Sequence, residues 1–192
     1  MKVLSWDSPE LVKILRSGGI VVAPTDTVYG LLVNATDALA AKKMLKLKGR
    51  ASRPGTVVAN SIEQIIGLGI EPERVAPFAK YWPAPLSIVL PVPPLLSYIT
   101  AFDATFPVRI PDHKGLRYLL QATGPLMTSS ANLTGQPVVA TIKEAYAIFG
   151  DLIDAYVDGE TIKDAPPSTI ARYANGKIEV LRQGAYPAEK LI

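Results

Sequence analysis

A chain of 192 residues with 48% hydrophobic content and a mean hydropathy of +0.22 is long and apolar enough for one domain with a sizeable core, which argues against disorder. It has no cysteine and one histidine, His113, so zinc–cysteine sites, iron–sulfur clusters, thiol nucleophiles and any site built on two histidines are excluded. Twenty Lys and Arg against seventeen Asp and Glu leave a formal +3, which says little about partners by itself.

In chain order, Ser8-Pro9-Glu10 with Leu11, Ile14 and Leu15 on one face and Gly18-Gly19 behind predicts a helix capped by Ser8. Residues 20–23 read as a short buried strand ended by Pro24, and residues 29–33 as a second strand. Asp37 is placed to cap a helix from Ala38 to about Lys48. A strand over 56–59 is followed by a Ser61/Gln64 capping box. Then come a helix over 72–81, strands at 86–90 and 106–110, a helix over 114–123 that His113 caps or packs against, and a strand over 125–128. A Thr141/Glu144 box opens a helix ending near Gly150, and strands over 153–157, 168–173 and 178–182 close the chain. Helices interleaved with strands and then strands in succession predict an α/β fold with a mixed sheet.

Two runs without charge, Tyr81 to Phe102 and Tyr118 to Ile142, are broken by prolines in the first and by hydroxyl residues and Asn132 in the second. Neither is the continuously apolar helix of about 20 residues that a bilayer requires. The first ten residues show no signal-peptide pattern. The expectation is a cytoplasmic protein with no membrane contact. Lys42, Lys43, Lys46, Lys48, Arg50 and Arg53 lie in a stretch that carries no acid between Asp37 and Glu63. That stretch reads either as a solvated helix face or as an anion site.

The common nucleotide signatures, a Walker-type loop and G-x-G-x-x-G after a strand, are absent, and Ser129 and Ser130 sit in no nucleophile-elbow sequence that His113 would serve. What remains is a series of polar segments, most of them following short apolar strands. In a mixed α/β sheet such loops can converge on one cleft. Hydroxyls and guanidinium groups with few acids suit phosphate and carboxylate.

These segments are PTDTVYG at 24–30, LKGR at 47–50, WPAPLSIVL at 82–90, FPVRIPDH at 106–113, SSANLTGQP at 129–137, PSTI at 167–170 and VLRQG at 180–184. Together, and in this order, they resemble the YrdC/TsaC family of threonylcarbamoyl-AMP synthases, with a core likeness over 8–184. The resemblance implies a single YrdC-like domain over 1–192, like the form without an additional C-terminal domain. Its fold would be a twisted mixed parallel/antiparallel sheet flanked by helices, with a positively charged cleft. It further implies that L-threonine, bicarbonate and ATP give threonylcarbamoyl-AMP and pyrophosphate. The product would pass to a tRNA-modifying transferase complex, or to tRNA itself. Mg²⁺ is expected to arrive with the ATP phosphates, with no metal held by the protein.

Carried over motif by motif, the resemblance implies that Thr27, Arg109, Thr128 and Ser168 contact threonine, Arg109 through its α-carboxylate. Arg50, Thr105, Ser130, Asn132 and Arg182 would bind ATP, and Lys48 and Arg50 would form the catalytic K-x-R pair. Other readings stand beside these. Thr27 can cap a turn, Thr128 and Ser168 can make ordinary loop hydrogen bonds, and Arg182 can be a surface residue of the last strand. The chain departs from the family pattern at Ala51-Ser52-Arg53-Pro54-Gly55-Thr56, where the proline after K-x-R is displaced. It departs also at Ala59, where many relatives carry a histidine, and at Gln136-Pro137-Val138-Val139. A non-catalytic RNA-binding module of this fold, or a paralogue acting on another carbamate, are the alternative functions.

Overall fold

The computed structural model describes residues 1–49, 55–99 and 104–191. Strand β1 (Val3–Leu4) precedes helix α1 (Pro9–Arg16); then come β2 (Val21–Ala23), β3 (Gly30–Asn34), α2 (Ala38–Leu47), β4 (Thr56–Val58), α3 (Ile62–Ile66) and α4 (Pro72–Val75). They are followed by β5 (Leu86–Pro91), β6 (Thr105–Arg109), α5 (Lys114–Thr123), β7 (Leu126–Ser130), α6 (Ile142–Phe149), β8 (Ala155–Val157), β9 (Thr169–Ala174) and β10 (Lys177–Arg182). Among the described residues all strands join one sheet in the order β1-β8-β2-β3-β7-β4-β6-β5-β9-β10. Pairs β1/β8, β2/β8, β4/β6 and β5/β9 are parallel and the other five antiparallel, so the sheet is mixed as its element pattern predicts.

Strand alternation distributes the core over two faces. Val21, Ala23 and Leu32 point toward Leu11 and Leu15 of α1 and Leu116, Leu119 and Leu120 of α5. Their neighbours Val22, Leu31 and Val33 point the other way, into a larger cluster with Met44 of α2, Ile65 of α3 and Phe149 of α6. Leu11, Leu32 and Leu120 are wholly buried, and truncating any one to alanine costs about 2–5 kcal/mol.

Local signals behave as their chemistry dictates, with five differences. Asp37 accepts from the N–H groups of Leu39 and Ala40, and Thr141 accepts from Glu144 N–H. In both capping boxes the reciprocal side chain reaches one residue further back, Gln64 to Asn60 N–H and Glu144 to Ala140 N–H. His113 caps α5 through Nδ1, which accepts from Leu116 N–H at 3.1 Å, and packs on Trp6 with ring centroids 5.1 Å apart. Ser8, by contrast, makes no side-chain cap; only its carbonyl accepts from the first turn. The helix expected over 72–81 is α4 followed by a 3₁₀ turn, Ala76–Tyr81, because Pro77 cannot donate into an α-helical ladder. β1 carries too little pattern to be read from sequence. β7 runs on to Ser130, which makes Ser129 and Ser130 strand residues instead of loop residues.

Candidate active site

The turn between β2 and β3 is built on one hydroxyl. Thr25 Oγ1 accepts from the N–H groups of Thr27 and Val28, both at 3.2 Å, and donates to the Val28 carbonyl at 2.7 Å. This Ser/Thr turn holds Thr27, 5% exposed, against the sheet. Gly30 follows because a Cβ there would meet Thr128 Oγ1 at 2.6 Å, so only glycine lets β3 lie this close to Thr128.

Arg109, at the C-terminal end of β6, is 4% exposed and meets Asp26 of the same turn at 3.1 Å, the Asp26 side chain being 2% exposed. The sequence offered Arg109 as a solitary charge in an apolar strand; Asp26 is its counter-ion. The contact is an ion pair and not an aligned hydrogen bond, and among the described residues Arg109 Nε has no hydrogen-bond partner. Burial pulls the Arg109 pKa below its ordinary value, Asp26 opposes that shift and the positive charge of Arg182 adds to it. Asp26 Oδ2 also accepts from Asp112 N–H at 3.3 Å, which ties the turn to the start of α5. Ala59 sits beside this strand and donates its N–H to the Arg109 carbonyl at 3.0 Å.

On the far side, Ser168 is buried just ahead of β9, its hydroxyl 2.9 Å from that of Ser87 on β5. Arg182, at the end of β10, donates to the Ser168 carbonyl at 2.7 Å. Partial burial lowers its pKa. Gly184 makes that proximity possible: a Cβ there would lie 2.1 Å from the Pro167 carbonyl oxygen. Thr169 Oγ1 fastens the same corner, accepting from Gly184 and Tyr186 N–H at 2.9 and 3.1 Å.

Between these corners lies a cleft of about 340 Å³, within the span of small-molecule sites. Thr27, Arg109, Thr128, Ser130, Ser168 and Arg182 all line it, and no carboxylate does among the described residues. Three expected residues do not line it. Lys48 is 1% exposed and turned onto the end of β7 and the segment behind it, where Nζ donates to the Ser130 carbonyl, to the Asn132 carbonyl at 3.0 Å and to Asn132 Oδ1 at 3.1 Å. Asn132 belongs to that same cluster, since Ser130 Oγ donates to its Oδ1 at 2.7 Å. Thr105 stands at the opposite end of β6 from Arg109, paired with Pro91. Arg50 lies outside the described residues, as do 51–54 of the altered segment.

Sequence reasoning did not single out Thr25, Asp26 or Ser87 as site residues. A buried arginine demands a counter-ion, so an acid inside a neighbouring cleft segment was the available signal for Asp26. Ser87 is a hydroxyl inside an apolar strand, a position that must find a partner. Among the described residues no group of three or more His, Asp or Glu could hold a metal ion, and with no carboxylate in the cleft lining these residues do not form a protein-held Mg²⁺ site. No helix of the described residues is long and apolar enough to cross a membrane.

Comparison with known proteins gives this arrangement a family. The threonylcarbamoyl-AMP synthase of Pyrococcus abyssi (strain GE5 / Orsay) is 32% identical over 195 residues, which cover 99% of this chain and 57% of that protein. A putative threonylcarbamoyl-AMP synthase of Mycobacterium tuberculosis is 32% identical over 184 residues, covering 94% of this chain and 85% of the relative. The crystal structure of P. abyssi Sua5 complexed with L-threonine superposes with a TM-score of 0.83 at 32% identity, over 94% of this chain and 55% of that one. The chain thus spans little more than half the length of the Pyrococcus relative. The Sua5–YciO–YrdC family model, described as "Telomere recombination", matches residues 13–184, and the chain belongs to that family.

Proposed function

We propose that this chain is an L-threonylcarbamoyladenylate synthase, a nucleotidyltransferase. Threonine's amine adds to bicarbonate-derived carbon with loss of water, giving N-carboxythreonine. An oxygen of the new carboxylate attacks the α-phosphorus of ATP, the bond to the β-phosphate oxygen breaks, and pyrophosphate leaves. The product, threonylcarbamoyl-AMP, then serves tRNA modification through a transferase complex.

One observation carries this reading: two guanidinium groups, Arg109 and Arg182, converge with Thr27, Thr128, Ser130 and Ser168 on a cleft that no described carboxylate lines. Such guanidinium and hydroxyl donors suit a substrate whose reacting groups are a carboxylate and a phosphate. In this reading Arg109 grips the threonine α-carboxylate, with Thr27, Thr128 and Ser168 around the rest of the amino acid. Ser130 and Arg182 meet the nucleotide, with Arg50 and Thr105 expected on the same side. Lys48 and Asn132 act from behind, fixing the end of β7 on which Ser130 stands. Fixed donors aimed at developing phosphate charge supply this kind of catalysis without a thiol or histidine. Mg²⁺ would enter on the ATP phosphates and would offset part of their charge there.

The test is pyrophosphate release from ATP with threonine and bicarbonate omitted in turn. Release should require both. Release indifferent to threonine would overturn the proposal and favour a paralogue that uses another carbamate.

A further inference from the structure

The turn that presents Thr27 contains a constraint that none of these roles uses. Thr25 and Thr27 are each 5% exposed, and their hydroxyl oxygens lie 3.1 Å apart. A hydroxyl has one proton to give and two lone pairs to receive with. Thr25 Oγ1 stands 2.7 Å from the Val28 carbonyl, which can only accept, so the Thr25 proton is committed there. With that proton spent, a hydrogen bond at the shared contact can only have Thr27 as its donor. Thr25 Oγ1 then receives three protons on two lone pairs, from Thr27 Oγ1 at 3.1 Å and from the N–H groups of Thr27 and Val28 at 3.2 Å, which fits the length of all three contacts. While that bond is made, Thr27 has lone pairs alone to offer the cleft it lines.

We propose that Thr25 is a positioning residue that fixes Thr27 as a hydrogen-bond acceptor, so that the substrate atom opposite Thr27 is an N–H or O–H donor. This rests on the synthase reading given above. In threonine and N-carboxythreonine the donors are the nitrogen and the side-chain hydroxyl, and an ionised carboxylate has none. Arg109 can only donate. The two residues therefore demand opposite hydrogen-bonding character from one ligand, so a carboxylate is disfavoured on Thr27 and an ammonium on Arg109.

Thr25→Val and Thr25→Ser separate this role from simple packing. Without the Thr25 oxygen the Thr27 proton is released to compete for the cleft, so Thr25→Val should raise the threonine KM about tenfold, the worth of one good hydrogen bond. The ATP KM should stay within about twofold, because the nucleotide makes no use of this contact. Thr25→Ser keeps the hydroxyl and should restore the wild-type threonine KM. Thr25→Ala, which removes the oxygen without placing a methyl against the Val28 carbonyl, should match Thr25→Val and replaces it should that variant fold poorly. An unchanged threonine KM, or both KM values rising together, would overturn the inference.

The proton assignment is also readable without substrate. In the wild-type protein the Thr27 hydroxyl proton should exchange slowly with solvent by NMR, and it should lose that protection in Thr25→Ala. Fast exchange in the wild type, or protection that survives the substitution, overturns the assignment. A wild-type protein indifferent to threonine would sink the synthase reading while this measurement still decides the proton. A threonine-dependent enzyme indifferent to Thr25 would sink the inference alone.

Discussion

Arg109 and Lys48 are both buried cations, 4% and 1% exposed, and the molecule treats them in opposite ways. Arg109 has a counter-ion, Asp26, but is incompletely hydrogen-bonded, with Nε unsatisfied and its side chain on the cleft wall. Lys48 instead meets, among the described residues, the carbonyls of Ser130 and Asn132 and the Asn132 side chain, and is turned away from the cleft. A planar five-donor group on a cleft wall can meet a ligand; a compact ammonium bonded to two backbone carbonyls and an amide oxygen can hold a loop in place. Similar burial thus serves recognition in one case and architecture in the other.

The sharpest way to break this contrast is to remove the arginine. Arg109→Ala should raise the threonine KM about a hundredfold or more, as truncating one member of a buried charge pair does, and should leave the ATP KM within a few-fold. Steady-state pyrophosphate release at varied threonine and varied ATP reads both. Asp26 is left buried and unpaired in that variant, which costs about 3–5 kcal/mol of stability by urea unfolding. A parallel rise in both KM values would mean that Arg109 holds the fold and does not select the substrate.

Lys48→Met tests the other side. The loss of its ammonium removes one donor each from the Ser130 carbonyl, the Asn132 carbonyl and Asn132 Oδ1, at about 1–3 kcal/mol, and should lower the urea midpoint. Because Ser130 moves with that loop, the ATP KM should rise and kcat fall, while the threonine KM changes by less than about threefold. A threonine defect as large as that of Arg109→Ala would erase the distinction.

The smallest effect is set by acid. Burial holds the His113 pKa below its ordinary 6.5, against the opposing pull of Asp26 and Asp112. The neutral ring is the form that caps α5, since Nδ1 must accept from Leu116. Its contribution to stability is therefore fully present above pH 6.5 and is lost as pH falls through the depressed folded value. The urea midpoint should decline as pH is lowered through that window, and His113→Asn, which keeps a capping acceptor, should flatten the decline. Since Asp112 and Asp26 link this cap to Arg109, the threonine KM should rise in the same window before the ATP KM does.

Much of this architecture is written in local patterns. Asp37, Ser61, Thr141 and His113 each mark a helix start because a side chain satisfying orphan N–H groups is a short-range event. Ser8 shows the limit: the residue type was right, but its hydroxyl makes no capping bond, and no sequence rule reports which way a hydroxyl turns. Strand existence was legible from apolar runs, but the placing of β7 between β3 and β4 was not, since partner choice depends on the whole sheet. The polar segments of the site were legible as segments. Their division into cleft residues and supporting residues was not, because Lys48 and Arg109 read alike in a string of letters and differ only in which oxygens surround them.

The strand order has a consequence for how the protein comes to exist. Thr27 precedes β3, Ser130 ends β7, Ser168 precedes β9 and Arg182 ends β10, and β9 reaches the rest of the sheet only by lying parallel beside β5. Every wall of the cleft is thus made from chain segments distant in sequence, a topology of high contact order that folds slowly. A ligand that bridges Arg109 and Arg182 joins β6, in the interior of the sheet, to β10 at its edge. Its binding energy adds to the cooperative stability of the whole domain, so a cell with ample substrate keeps more of this protein folded.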